Sequence, residues 1–112
     1  MIDLKVTREE TDLELAPGVL VRVRPCSSAI MLAARNELRA EGTGGAEEQY
    51  GRMIRALARA AITSWEGIAF GGEPAPVTPE NIDAVMEIWP LFRAFEDQYY
   101  GRVMTLDAEK NG

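Results

Sequence analysis

Apolar and polar residues alternate at the start of this chain and then change period. Leu13 and Leu15 are interleaved with Asp12 and Glu14, a period of two that predicts a strand. Val19, Val21 and Val23 are likewise interleaved with Leu20, Arg22 and Arg24, giving one valine face and one mostly basic face. Pro17-Gly18 lies between the two runs. Proline at the second position and glycine at the third suit a type II turn. The prediction is a β-hairpin within residues 1–25, with a possible third strand around Ile2–Thr7. A hairpin alone is marginal in water and must pack on something else. Arg22 and Arg24 are read as outward charges that guard an edge strand, or as contacts to an acidic partner.

After Pro25 the period becomes helical. Ser27 or Ser28 can cap a first helix in which Ile30, Met31, Ala34 and Leu38 recur, and Gly42-Thr43-Gly44-Gly45 stops it. The second helix has the broadest stripe: Tyr50, Met53, Ile54, Leu57, Ala58, Ala61 and Ile62. Glu47 and Glu48 suit its N-terminal dipole. Arg52, Arg55 and Arg59 line another face, read as solvated or ion-paired rather than as a phosphate site. A third helix starts at Thr78-Pro79-Glu80, with cap, first-turn proline and acid in order. Its predicted stripe is Ile82, Val85, Met86 and Trp89, broken at Pro90. A last helix carries Leu91, Phe92, Phe95, Tyr99 and Val103.

Between the second and third helices lies Ile62–Asn81, rich in Gly67, Gly71, Gly72, Pro74, Pro76 and Pro79. It reads as a long loop without secondary structure of its own, and loops of that length are usually functional or flexible. The expected architecture is α+β: an N-terminal β-hairpin, of two strands or three, packed on about four helices. One domain spans 1–106, with 1–25 the hairpin region and 26–106 the helical region. Residues 107–112 form a flexible tail.

Composition narrows the function. Net charge is −6, and the acidity is concentrated late: residues 64–112 carry nine acidic and three basic side chains. That predicts neither nucleic acid nor membrane as a partner, since both call for clustered Lys and Arg. No apolar run approaches the length of a membrane span. The first twenty residues lack the features of a signal peptide, and Cys26 is the sole cysteine, which together predict a cytoplasmic protein. The chain has no histidine, so the commonest general base and metal ligand are missing. Cys26 reads as a structural thiol, and no zinc, calcium or dinucleotide spacing occurs. The expectation is a non-enzymatic protein with no cofactor and no metal.

Aromatic residues are the remaining signal. Five of eight fall between Trp89 and Tyr100. Trp89, Phe92 and Phe95 read as core or as a partner surface. Tyr99 and Tyr100 cannot both point inward from one regular helix, so at least one is expected at an interface. Trp65 is either a plug over the helical core or a partner anchor. The candidate protein-binding set is therefore Trp65, Trp89, Phe92, Phe95, Tyr99 and Tyr100.

The wording of the loop adds a resemblance. Ile62-Thr-Ser-Trp65-Glu-Gly67-Ile68, followed by Gly72-Glu73-Pro74-Ala75-Pro76-Val77-Thr78-Pro79-Glu80-Asn81-Ile82, resembles small tail assembly chaperones and related tail-cluster proteins of long-tailed bacteriophages and prophages. In that group a Trp-x-Gly segment precedes a Gly-x-Pro-x-Pro-x-Thr-x-Glu loop, and an aromatic helix closes the domain. The likeness covers roughly residues 50–100 and departs from the group at Ala69-Phe70, where aspartate is common. It implies a chaperone that binds the helical tape measure protein, keeps it soluble while tail tube subunits assemble, and acts as a homo-oligomer in the cytoplasm of a bacterial host. The alternatives are a structural tail completion or head–tail connector subunit, or a small bacterial protein-binding adaptor.

Overall fold

The computed structural model describes residues 1–41 and 44–104. Strand β1 (Thr11–Ala16) and strand β2 (Val19–Val23) form the expected hairpin. Leu13 lies opposite Val21 and Asp12 opposite Arg22, so the period-two pattern becomes two faces. Leu13, Leu15, Val21 and Val23 are buried, whereas Asp12 and Arg22 pair across the outer face at 3.1 Å. Gly18 takes φ 79°, the positive value that the third position of a type II turn requires.

Helix α1 (Ser28–Glu41) begins at Ser27, whose hydroxyl accepts from the Ile30 amide at 3.2 Å. Helix α2 (Ala46–Ala61) packs against α1 and buries Met53, Ile54, Leu57, Ala58 and Ala61, the stripe read from the sequence. It runs straight into strand β3 (Ile62–Glu66), which joins the sheet beside β2 to give the order β1-β2-β3.

β3 corrects two expectations. The segment Ile62–Asn81 is not a loop without structure, and the third strand comes from here rather than from Ile2–Thr7. Alternation failed to signal β3 because Ile62 and Trp65 are three apart and would face opposite sides of a regular strand. A bulge between Arg22 and Val23 in the ladder resolves this: Ile62 lies opposite Val23 and Trp65 opposite Val21, two buried valines. Residues Val6–Arg8 form a short 3₁₀ turn instead of a strand, and Ile2, Leu4 and Val6 are exposed. Because β3 closes the other side, β2 is the central strand. Arg22 therefore guards no edge: it pairs with Asp12, while Arg24 donates to the Ala60 carbonyl at 3.0 Å.

Beyond β3, strands β4 (Ala69–Phe70) and β5 (Glu73–Pro74) make a two-residue hairpin. Gly71 and Gly72 both have positive φ, as a type I′ turn demands. At Gly67 a side chain is excluded outright. Its φ is 82°, and a Cβ there would meet the Gly18 carbonyl oxygen at 1.9 Å.

Helix α3 (Pro79–Met86) opens as the sequence predicts. The Thr78 hydroxyl accepts from the Asn81 amide at 3.2 Å, and Asn81 Nδ2 donates to the Pro76 carbonyl at 2.9 Å. Thr78→Ala should cost about 1 kcal/mol in chemical denaturation, the usual worth of such a cap. An unchanged midpoint would remove the cap from the account.

The break after α3 falls earlier than expected. Ile88 is extended and helix α4 (Trp89–Phe95) starts at Trp89, with Pro90 in its first turn. Proline is tolerated there because a first-turn N–H has no intrahelical acceptor. Trp89 thus leaves the α3 stripe and opens a new helix. α4 continues through a π-helical turn (Glu96–Tyr100) into α5 (Gly101–Met104). The widened turn places Tyr99 in the core while Tyr100 reaches Tyr50, edge to face at 5.8 Å. α4 packs on β1, and its fully buried Phe95 lies in the common core of sheet and helices. The predicted tail, residues 107–112, lies outside the described residues, as do the Gly42-Thr43 half of the predicted glycine link and the last two residues, 105–106, of the predicted domain.

Candidate protein-binding groove

An open groove of about 720 Å³ lies between the first turns of α2 and the α3–α4 junction. Tyr50, Gly51 and Arg55 enter it from α2, Met86 and Glu87 from the end of α3, and Trp89, Phe92 and Arg93 from α4. The helical break at Ile88 creates the mouth. It turns Trp89 away from the core, so that this tryptophan is 66% exposed while Phe92 beneath it is buried. Their rings stack at 5.8 Å with 13° between planes. The Arg93 guanidinium lies 5.7 Å from the Trp89 ring centre, within cation–π range, and pairs with Glu96 at 3.1 Å.

Glu96 ties the groove together. Its second oxygen accepts from the Tyr50 hydroxyl at 2.5 Å, linking α2 to the end of α4. Burial and the adjacent Glu96 carboxylate push the Tyr50 pKa up from 10.0 to about 12. The folded state therefore holds this proton more tightly than the unfolded chain. The contribution is complete below pH 10 and is lost as pH rises through about 12. Stability should fall over that window, and Tyr50→Phe should make the fall shallower. An identical slope in the variant would show that Tyr50 is not linked to folding.

The six aromatic candidates separate. Trp89 and Phe92 build the groove. Tyr100 is half-buried against Tyr50 behind it. Phe95 and Tyr99 are corrections: both are buried and stacked on each other at 5.0 Å, with the Tyr99 hydroxyl donating to the Arg24 carbonyl at 2.9 Å. Neither offers a surface to a partner. Trp65 is half-buried and its indole N–H donates to the Ala75 carbonyl at 2.8 Å, pinning the β4–β5 hairpin across the sheet end. Trp65 also packs partly against the core cluster.

Tyr50, Gly51, Arg55, Met86 and Arg93 escape the sequence reading as groove residues. One signal was available: Gly51 is an isolated glycine inside a strongly periodic helix, a position that costs about 1 kcal/mol relative to alanine unless something uses the space. Phe70, 77% exposed at the tip of the β4–β5 hairpin, is a second exposed aromatic side chain and is not among the groove-lining residues.

A smaller polar cleft of about 110 Å³ adjoins, lined by Glu37, Leu38, Arg52, Arg55 and Arg59. Arg59 donates to Glu37 and, at 2.6 Å, to Asp83, which fastens α2 to α1 and α3. This bears out the ion-pair reading of the arginine stripe for Arg59. Cys26 is half-buried, and burial raises its thiol pKa, which keeps it protonated and weakly nucleophilic. Among the described residues no group of three His, Cys, Asp or Glu is placed to hold a metal ion, and no helix is long and apolar enough to cross a membrane. Comparison with protein-family models, with curated proteins and with solved structures finds no match to this chain.

Proposed function

We propose that this protein is a tail assembly chaperone of a long-tailed bacteriophage or prophage, acting without catalysis or cofactor in the cytoplasm of the bacterial host. Its client is the long helical tape measure protein. The observation that carries the reading is Trp89, exposed and stacked on Phe92 at the mouth of an apolar groove between helices. A soluble acidic protein rarely leaves a tryptophan in water over an apolar floor unless the surface is used. A groove between helices accepts the apolar face of an amphipathic helix, the recurring element of such a client. The net charge of −6 keeps the loaded complex soluble. The Trp65–Gly67 and Gly72–Glu80 wording supplies the link to phage tails. Tail tube protein and further copies of this chain are the other proposed partners.

Co-expression with a candidate tape measure protein tests the proposal. The client should become soluble and co-elute with this protein, which should be absent from finished particles. An insoluble client, with this protein recovered in purified particles, favours a structural tail subunit instead.

A further inference from the structure

We propose that Arg55 selects the occupant of the groove by pairing with a carboxylate on the bound helix; this rests on the reading of the groove as a docking surface. Every other cation at the groove and its adjoining cleft already has an interaction. Arg59 is held by Glu37 and Asp83, Arg93 by Glu96 and the Trp89 ring, and Arg52 also has a partner. Arg55 is half-buried, borders both the groove and the polar cleft, and forms no hydrogen bond or ion pair among the described residues. A half-buried guanidinium with no acceptor among the described residues is placed to take a partner's carboxylate in a charge-assisted hydrogen bond.

The Arg55 guanidinium lies next to Gly51. A Cβ at Gly51 would stand 3.4 Å from Arg55 Nη1, so the guanidinium lies back along α2 in space that a larger side chain would take. Arg55 lines the same groove as Met86 and Phe92 and is half-buried there. The charges along the groove also have a direction. Glu47 lines it eight residues before Arg55, about 12 Å along the helix axis. Glu87 is a further carboxylate on the α3 side. The occupant that fits is an amphipathic helix of a partner protein. Its apolar stripe covers Trp89 and Phe92, its acidic residue meets Arg55, and a basic residue seven or eight positions away meets Glu47.

Two synthetic helical peptides with the same leucine stripe test this against the full-length protein by calorimetry. One carries Glu at the position facing Arg55 and the other Lys. The Glu peptide should bind about tenfold tighter, the usual scale for a partly desolvated charge pair. Arg55→Glu should reverse the preference, and Arg55→Gln should abolish it. Both variants should melt with the wild type, because Arg55 supports no intramolecular bond. Equal affinity for both peptides, with Trp89→Ala still abolishing binding, overturns the role of Arg55 and leaves the groove standing. Failure of both peptides to bind overturns the groove and this assignment together.

Discussion

Phe95→Ala should destabilise the protein by about 3–5 kcal/mol, the range for removing a large buried aromatic side chain. Phe95 is 0% exposed and belongs to the cluster formed by the sheet and the helices. It stacks on Tyr99, whose hydroxyl fixes the carbonyl of Arg24 where the sheet gives way to α1. Truncation leaves a cavity and unseats Tyr99, so the loss is not confined to one ring. Domains of this kind have about 5–15 kcal/mol in total, so the variant should be marginal at room temperature. Urea titration of wild type, Phe95→Leu and Phe95→Ala measures it. Leucine should lose clearly less than alanine. A loss below about 1 kcal/mol for alanine would mean that α4 does not pack on the sheet as described.

Trp89→Ala should have the opposite profile. Its side chain stands largely in solvent, so the fold should lose only about 0.5 kcal/mol, the scale of surface substitutions. Binding of the proposed client should weaken about thirtyfold or more, since truncating a tryptophan anchor in an interface commonly removes about 2 kcal/mol or more. The measurement is a pair of experiments on one variant: thermal melting and pull-down of the co-expressed tape measure protein. Phe70→Ala is the control, an even more exposed aromatic that does not line the groove, and it should leave binding intact. Equal losses in both variants would indicate general stickiness. A large drop in melting temperature for Trp89→Ala would make it a core residue.

The contrast between Phe95 and Trp89 also shows where the sequence was legible. Periodicity located α2 because its buried face is long and uninterrupted, and it located the β1–β2 hairpin because alternation is strict around a Pro-Gly turn. Local capping chemistry placed the start of α3 through Thr78 and Pro79. Strand β3 was hidden because its bulge breaks the period of two, a feature set by pairing with β2 and not by its own residues. The division of the aromatics was hidden for a similar reason. A two-residue shift in the α3–α4 break decides whether Trp89 faces the core or the water. Proline near a helix start and proline as a helix breaker look alike along the chain. The π-helical turn then moves Tyr99 inward and Tyr100 toward Tyr50, which no regular helical wheel places. The groove depends on the approach of α2 to α4, and only Gly51 hinted at it.

The most direct test of the account follows Trp89 itself. In a Trp65→Phe variant the remaining tryptophan reports on the groove alone. Free protein should show the red emission of a solvent-exposed indole. On forming a complex with the proposed tape measure client, the emission should move to the blue and become shielded from a soluble quencher. A stable complex in which Trp89 stays red and fully quenchable would contradict the groove as the binding surface.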